Sequence, residues 1–325
     1  MRIHLIVDFQ YNYYRNKCSY ERQMAYRGAK RLSCVLDGKE VDTTYPYLVL
    51  KDIERYRKMF VNGIDDSNNI FQDDPLVDNE VTVSIAADSK IVTRKETSAE
   101  YKSNRSGRLD EYDFEAIDRT LEILSNVGYN VYRLDGFEAD DIIRNLVLNY
   151  KDDYDMTVIF SNDADILVNV DDNVVIERFK SSERKHTLIT KDTFSENLSK
   201  EYKCSMPYNC IALYKCLVGD KSDKISGVRG FGPAAFDKAV YAIESRFGAD
   251  YLIDLSNNYD KLVDTLNFLV STGNLKPDKL NEALLSLELV LYKVINDGLK
   301  KPEKMDNDEL RVKEYSRYAM FSLLK

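Results

Sequence analysis

The chain has only two histidines, His4 and His186, and they lie far apart in sequence. That scarcity argues against a serine or cysteine triad, which needs a histidine base, and against a histidine-rich zinc site. Cysteine is also sparse: Cys18, Cys34, Cys204, Cys210 and Cys216 make an odd count with no CxxC pair. They read as reduced, mostly buried thiols of a cytoplasmic protein rather than a disulfide framework. No run of about eighteen apolar residues occurs, so nothing reads as a membrane span. The N-terminus reaches Asp8 too soon for a signal peptide. Internal repeats and low-complexity segments are lacking. Any metal here would be a hard cation held by oxygen.

The 325 residues suffice for one large domain or two ordinary ones. At 44% hydrophobic and 31% charged, the composition is that of a soluble globular chain. The net charge of −9 is weak evidence against a nucleic-acid binder. If nine acids gather in one metal site, as the pattern below suggests, the remainder is formally neutral and can still carry basic patches.

Acids recur at one kind of position. Residues 3–7 form an apolar strand ending in Asp8, and residues 81–87 form a second ending in Asp88. The run 130–135 gives way at Gly136-Phe137-Glu138-Ala139-Asp140-Asp141 to a helical pattern over 142–150. Another apolar strand, 156–160, runs into Ser161-Asn162-Asp163-Ala164-Asp165. A helix start readily accepts one acid, which complements its exposed N–H groups and dipole. Three within four residues, and four acidic strand ends in one alternating α/β chain, exceed that need. Carboxylates about 5 Å apart in an effective dielectric of about 20 repel by roughly 3 kcal/mol per pair. Such a cluster must be fully solvated or hold a divalent cation. Open α/β sheets place ligands at the C-terminal ends of their strands.

Further along, Gly219-Asp220-Lys221-Ser222-Asp223 adds two acids three residues apart, which share a face on a helical turn. Gly227-Val228-Arg229-Gly230-Phe231-Gly232-Pro233 then leads into an Ala-rich helix. This reads as a hairpin between helices whose backbone N–H groups can grip a phosphate without base specificity. No strand precedes it, so a dinucleotide site is rejected. Positive charge concentrates at Arg94 and Lys95 and in Tyr101-Lys102-Ser103-Asn104-Arg105-Ser106-Gly107-Arg108, either a solvated loop or a cradle for phosphates. Tyr11, Tyr13 and Tyr14 are either packing residues or stacking surfaces for bases. Helices are predicted over 45–61, 110–126, 190–203, 262–270, 280–295 and 310–324, and strands across 173–189. In the second helix Phe114, Ile117, Leu121 and Leu124 form one stripe. Much of 16–80 carries no legible assignment beyond an acidic surface loop at 63–80. The α/β alternation stops near residue 205, dividing the chain into an α/β part, 1–205, and a helical part, 206–325.

Asp8, Asp88, Tyr101-Lys102-x-Asn104-Arg105, Glu138-Ala139-Asp140-Asp141, Asp163-x-Asp165, Gly219-Asp220-x-x-Asp223 and Gly227-Val228-x-Gly230-x-Gly232 occur in that order. With this set the chain resembles the 5′-nuclease family over most of residues 1–245. That family includes bacteriophage 5′→3′ exonucleases, flap endonucleases and the 5′-nuclease domain of bacterial DNA polymerase I. The resemblance implies a PIN-like α/β fold: a twisted, mainly parallel sheet flanked by helices. It also implies a helical arch around 90–118 and a helix–hairpin–helix at 219–245. By family pattern one divalent ion belongs to Asp8, Asp88, Glu138 and Asp140, with Asp141 close by. A second belongs to Asp163, Asp165, Asp220 and Asp223. The ions implied are two Mg²⁺, for which Mn²⁺ substitutes. Lys102 and Arg105 would contact the scissile phosphate and Tyr101 would stack on a terminal base. Gly227, Val228, Gly230, Gly232 and Lys238 would hold the duplex backbone, commonly with K⁺, and Arg94, Lys95 and Arg108 would add DNA contacts.

The activity implied is two-metal hydrolysis of DNA at or near 5′ ends, flaps or nicks, by a cytoplasmic monomer of phage or bacterial type acting with replication proteins. Three departures from the family pattern bear on duplex grip and arch shape. Lys224 stands where Asn is usual, Ser226 where Pro is frequent, and Ser106-Gly107 where a Pro-rich sequence often follows. Removal of RNA from RNA–DNA hybrids is the alternative within enzymes, because neither metal reads the 2′-OH. A non-catalytic module for branched DNA is the alternative from another class, and a metal-binding structural protein is a third.

Overall fold

Three strands buried along nearly their whole length form the centre of the fold: β1 (Arg2–Asp8), β4 (Glu80–Ala86) and β6 (Met156–Phe160). Such continuous apolar runs suit parallel strands covered on both faces. The computed structural model describes residues 1–62, 79–90, 109–180, 185–252, 255, 258–304 and 307–324. Within them β5 (Asn130–Tyr132), β7 (Val174–Lys180) and β8 (Lys185–Ile189) complete one sheet in the order β5-β4-β1-β6-β7-β8. Every pairing is parallel except β7 with β8. The expected mainly parallel sheet is therefore present. The chain builds outward from β1 to β4 and β5, then returns to add β6 on the other side, so the strand order reverses at β1.

Alternate residues of the central strands face opposite cores. Leu5, Val7, Val83 and Ile85 pack against α1 (Phe9–Arg27), α2 (Thr44–Asn62), α3 (Glu111–Asn126) and α10 (Asp308–Arg317). Ile6, Ala86 and Ile159 belong to the other core. That core takes in α4 (Ala139–Tyr150), α5 (Lys191–Tyr202), α6 (Ile211–Val218), α7 (Pro233–Phe247), α8 (Tyr259–Ser271) and α9 (Leu280–Val290). A two-stranded hairpin, β2 (Ser33–Leu36) and β3 (Lys39–Asp42), lies outside the main sheet. No helix among the described residues is long and apolar enough to cross a membrane. Four of the five cysteines are buried thiols and Cys18 is exposed.

Three expectations need correction. Helix α1 fills a stretch that carried no assignment, because polar contacts hold it more than an apolar stripe does. The Tyr13 hydroxyl donates to Asp113 Oδ1 at 2.9 Å, and Arg15 pairs with Asp52 at 2.5 Å. In α3 the buried stripe is Ile117, Leu121 and Leu124, whereas Phe114 is 44% exposed. The helix expected over 280–295 ends at Val290. Beyond it the Lys293 N–H donates to Asp141 Oδ1 (2.8 Å), and Asn145 Nδ2 donates to the Lys293 carbonyl (2.8 Å). The Ile295 N–H donates to Asn145 Oδ1 (3.0 Å). Side chains of α4 thus take the bonds that a longer helix would have made internally.

The last helix is anchored through Glu54, buried on α2. It accepts from the hydroxyls of Tyr129 (2.7 Å) and Tyr315 (2.5 Å), while Arg57 Nε lies 3.0 Å and Arg311 Nε 3.7 Å away. Replacing Glu54 by Leu removes the acid that faces the buried Arg311 and the half-buried Arg57. The expected cost is about 3–5 kcal/mol, measured as a lower midpoint in denaturant unfolding. An unchanged midpoint would show the cluster to be incidental.

Candidate metal centre

Strand register assembles the centre. Asp8 pairs with Ala86, and Val7 with Phe160. Asp8, Asp88 just past β4 and Ser161 just past β6 therefore emerge together at the C-terminal edge, beside the reversal of strand order. The Ser161 hydroxyl donates to Asp8 Oδ2 (2.7 Å) and accepts from the Asp163 N–H (3.0 Å), joining two strand ends. Asp8 also caps α1, its Oδ1 accepting from the Tyr11 N–H at 3.0 Å. Asp88 Oδ1 accepts from the Ala139 N–H at 2.7 Å, which docks the start of α4 on the edge with Glu138 at its N-cap and Asp140 in its first turn.

Two carboxylate groups result. One oxygen from each of Asp140, Asp163 and Asp165 falls within 4.8 Å of the others, and the same holds for Asp165, Asp220 and Asp223. Asp165 is common to both. Asp220 and Asp223 arrive on a closed loop, not on the helical turn expected from their spacing. Gly219 and Gly227 adopt φ of +91° and +61°, and a Cβ on Gly227 would lie 2.4 Å from the Gly219 nitrogen. Only glycine permits that approach. The loop is closed by Asp220 and Ile225, which exchange two backbone bonds of 2.8 Å.

Lys215, on α6, reaches into the second group. Its ammonium is bonded to Asp165 and lies 2.6 Å from Asp220 Oδ2, with the residue only 2% exposed. Burial alone would discharge a lysine, but Asp165 and Asp220 outweigh it and hold Lys215 well above the usual range. Burial likewise opposes charge on Asp220, yet Lys215 and Ser222 keep its carboxyl below the usual range. Asp8 behaves in the opposite way. Burial pushes it up to about 7, reinforced by Asp163 and Asp88 and resisted by the Tyr11 N–H and the Ser161 hydroxyl. Among the described residues, one ammonium thus faces five convergent carboxylates. An oxygen-only set with surplus negative charge suits a hard divalent cation, and these residues could hold one.

Lys215 and Ser161 were not anticipated. The one available signal was a lone charge inside the apolar run Ile211-Ala212-Leu213-Tyr214-Lys215-Cys216-Leu217. Asp141, expected close by the first ion, is fully buried, and its oxygens accept from the Glu138 N–H (3.1 Å) and the Lys293 N–H (2.8 Å). Among the expected duplex contacts, Gly227 and Val228 are buried, whereas Gly230, Gly232 and Lys238 reach the surface. Lys224 takes φ +58°, a left-handed conformation that Asn adopts more readily than Lys. Tyr13 is core, so of its two readings packing holds. Arg94, Lys95, Tyr101, Lys102, Arg105 and Arg108, and most of the arch expected around 90–118, lie outside the described residues.

A mainly parallel α/β sheet with a carboxylate cluster at its switch point defines a class of cation-binding α/β proteins. Known proteins narrow the class. The family described as 5′-3′ exonuclease, N-terminal resolvase-like domain, matches residues 50–199. DNA polymerase I of Caldicellulosiruptor bescii is 29% identical over 232 residues, 71% of this chain but 25% of that protein, so the chain spans about a quarter of that relative. The 5′-3′ exonuclease of Mycoplasmopsis pulmonis is 29% identical over 238 residues, covering 72% of this chain and 71% of its own. A bacteriophage T5 flap endonuclease, solved with DNA and metal ions, superposes with a TM-score of 0.54 at 17% identity, over 99% of this chain and 95% of that one. Residues 50–199 thus match a 5′-3′ exonuclease family, and the chain is similar to 5′-3′ exonucleases over about seven tenths of its length.

Two substitutions separate the roles. Lys215→Met leaves Asp165 and Asp220 facing each other without the ammonium, and the protein in EDTA should lose about 3–5 kcal/mol. Added Mg²⁺ should restore more thermal stability to this variant than it adds to the wild type; equal gains would show that Lys215 and the ion do not share the site. Asp141→Ala should cost about 3 kcal/mol through stranded N–H groups yet preserve the Mg²⁺-dependent rise in Tm. Loss of that rise would return Asp141 to the ligand set.

Proposed function

We propose that the chain is a divalent-metal-dependent 5′→3′ exonuclease and 5′-flap endonuclease that hydrolyses DNA phosphodiester bonds. The carrying observation is the pair of carboxylate triads that share Asp165 at the sheet edge. Two cations held by such triads would lie close together, which supports a two-metal reading with Mg²⁺ as the physiological ion. When bound, such ions activate water and stabilise the leaving oxygen. The chain's own residues set the geometry. Ser161 and the Tyr11 N–H orient Asp8, the start of α4 orients Asp88 and Asp140, and the Gly219–Gly227 contact brings Asp220 and Asp223 to Asp165. Lys215 keeps its proton, so it balances charge and does not act as a base.

Lys102 and Arg105 complete this reading as electrostatic stabilisers at the scissile phosphate, with Tyr101 stacked on a terminal base. Gly230, Gly232 and Lys238, exposed around the start of α7, serve as the backbone grip of a helix–hairpin–helix, with K⁺ as its ion. Residues 1–205 then supply most of the centre, and residues 206–325 add Lys215, Asp220 and Asp223 together with the duplex grip. The setting we infer is flap or primer removal during replication, by a cytoplasmic monomer.

The test uses a 5′-labelled flap duplex, a blunt duplex and an RNA–DNA hybrid, each with Mg²⁺ and with EDTA. Mg²⁺-dependent cutting near the flap junction is expected, and Asp165→Asn should lower the rate by at least about 100-fold while substrate binding changes little. Binding without cutting in every lane would leave a branched-DNA-binding module instead. The hybrid lane ranks RNA against DNA.

A further inference from the structure

Arg144 is a buried cation that the acidic centre does not use. It lies on α4 four residues past Asp140, about 6 Å along the axis, and is only 5% exposed. Its Nη1 donates to the Val168 carbonyl (3.3 Å) and to Asn169 Oδ1 (3.1 Å). Its Nη2 is buried without a hydrogen-bond partner. Among the described residues no carboxylate pairs with it. Asp171 acts on it from a distance but is held by Lys151, and the neighbouring Asp172 is held by Lys191. The local count therefore leaves one positive charge unmatched, and burial holds Arg144 below the usual range for an arginine.

Arg144 lines a cavity of about 90 Å³, shared with Leu148, Lys151, Asn169, Asp171, Tyr208 and Asn209, the Asp171 carboxylate being paired with Lys151. A single water needs only about 10–15 Å³ of such volume. Leu148, 52% exposed, marks the opening to solvent. An isolated buried charge is disfavoured by several kcal/mol unless an opposite charge joins it. The planar fork of Arg favours oxyanions, which it can bond through two N–H groups.

We propose that this cavity binds a small tetrahedral oxyanion of the phosphate or sulfate class, with Arg144 as its counter-charge. The site is distinct from the acidic centre, whose carboxylates repel anions. It lies between the element that carries Asp140 and the 3₁₀ turn over Asp165–Asn169, so its occupancy is linked to the separation of those acids. The anion comes either as free inorganic phosphate or as the terminal phosphate of a nucleotide entering past Leu148.

The experiment follows Tm of the full chain in EDTA at matched ionic strength, titrating inorganic phosphate, sulfate or adenosine monophosphate. The wild type should gain about 3 °C once phosphate exceeds its Kd about tenfold. Arg144→Met should remain folded, because it removes a buried charge at similar volume, and should show no gain. A response to phosphate alone identifies the free anion, and an equal response to adenosine monophosphate identifies a phosphomonoester. A flat wild-type response, or an equal rise in the variant, overturns the proposal. Should the variant fail to fold, ³¹P line broadening of phosphate by the wild type decides: broadening that sulfate displaces supports the site, and its absence overturns it.

Discussion

The attraction of buried Lys215 for Asp165 and Asp220 is the interaction on which the centre's geometry rests. Without a cation, carboxylates held within 4.8 Å would push the loop of Asp220 and Asp223 away from the 3₁₀ turn that starts at Asp165. Repulsion of roughly 3 kcal/mol per pair at about 5 Å is large beside a net stability of about 5–15 kcal/mol. The ammonium offsets part of it. Rigid walls carry the rest: Asp8 and Ser161 stand on hydrogen-bonded parallel strands, and Asp88 is fastened to the first turn of α4. Asp8 shows where the compensation stops. Among the described residues no cation offsets it, and its carboxyl is pushed up to about 7.

Because Lys215 stands on α6, the helical half of the chain is part of the centre. One apolar cluster runs from Ile6 and Ile142 through Leu213 and Leu217 to Leu266 and Leu287. Helix α6 cannot swing away from the sheet without opening that cluster. The same logic applies at Gly219 and Gly227, where even one methyl group would force apart the strands of the loop that carries Asp220. Packing, glycine geometry and charge balance converge on the position of a few oxygen atoms.

How much of this could be read from the chain depends on how local each signal is. Asp8, Asp88 and Asp163 were legible because a strand's apolar run and the acid that ends it are contiguous. The sheet was legible for the same reason, each central strand being apolar on both faces. Asp140 and Asp141 look equivalent in a sequence. On a helix, successive residues point about 100° apart, so Asp140 turns to the centre while Asp141 turns to the backbone at Lys293. The helix over 280–295 was overextended because what ends it, the pairing of 293–295 with Asp141 and Asn145, comes from residues about 150 positions earlier. Lys215 was overlooked because a lysine takes its meaning only from the acids around it.

Lys215 and Arg144 show how differently one fold can bury a positive charge. Both are nearly inaccessible, and both stand beside an element that carries a metal-site acid. Lys215 meets two carboxylates and is held above the usual lysine range; Arg144 meets a carbonyl and an amide oxygen and is held below the usual arginine range. Arg144 cannot substitute for Lys215 as a neutraliser of the acids. Its Nη1 is committed to Val168 and Asn169, and the residue lines a separate cavity. A stabilising role would be served better by an apolar side chain of the same length, which would fill the space without the penalty of a buried charge. The persistence of a guanidinium there is accounted for when the missing counter-charge comes from outside the chain.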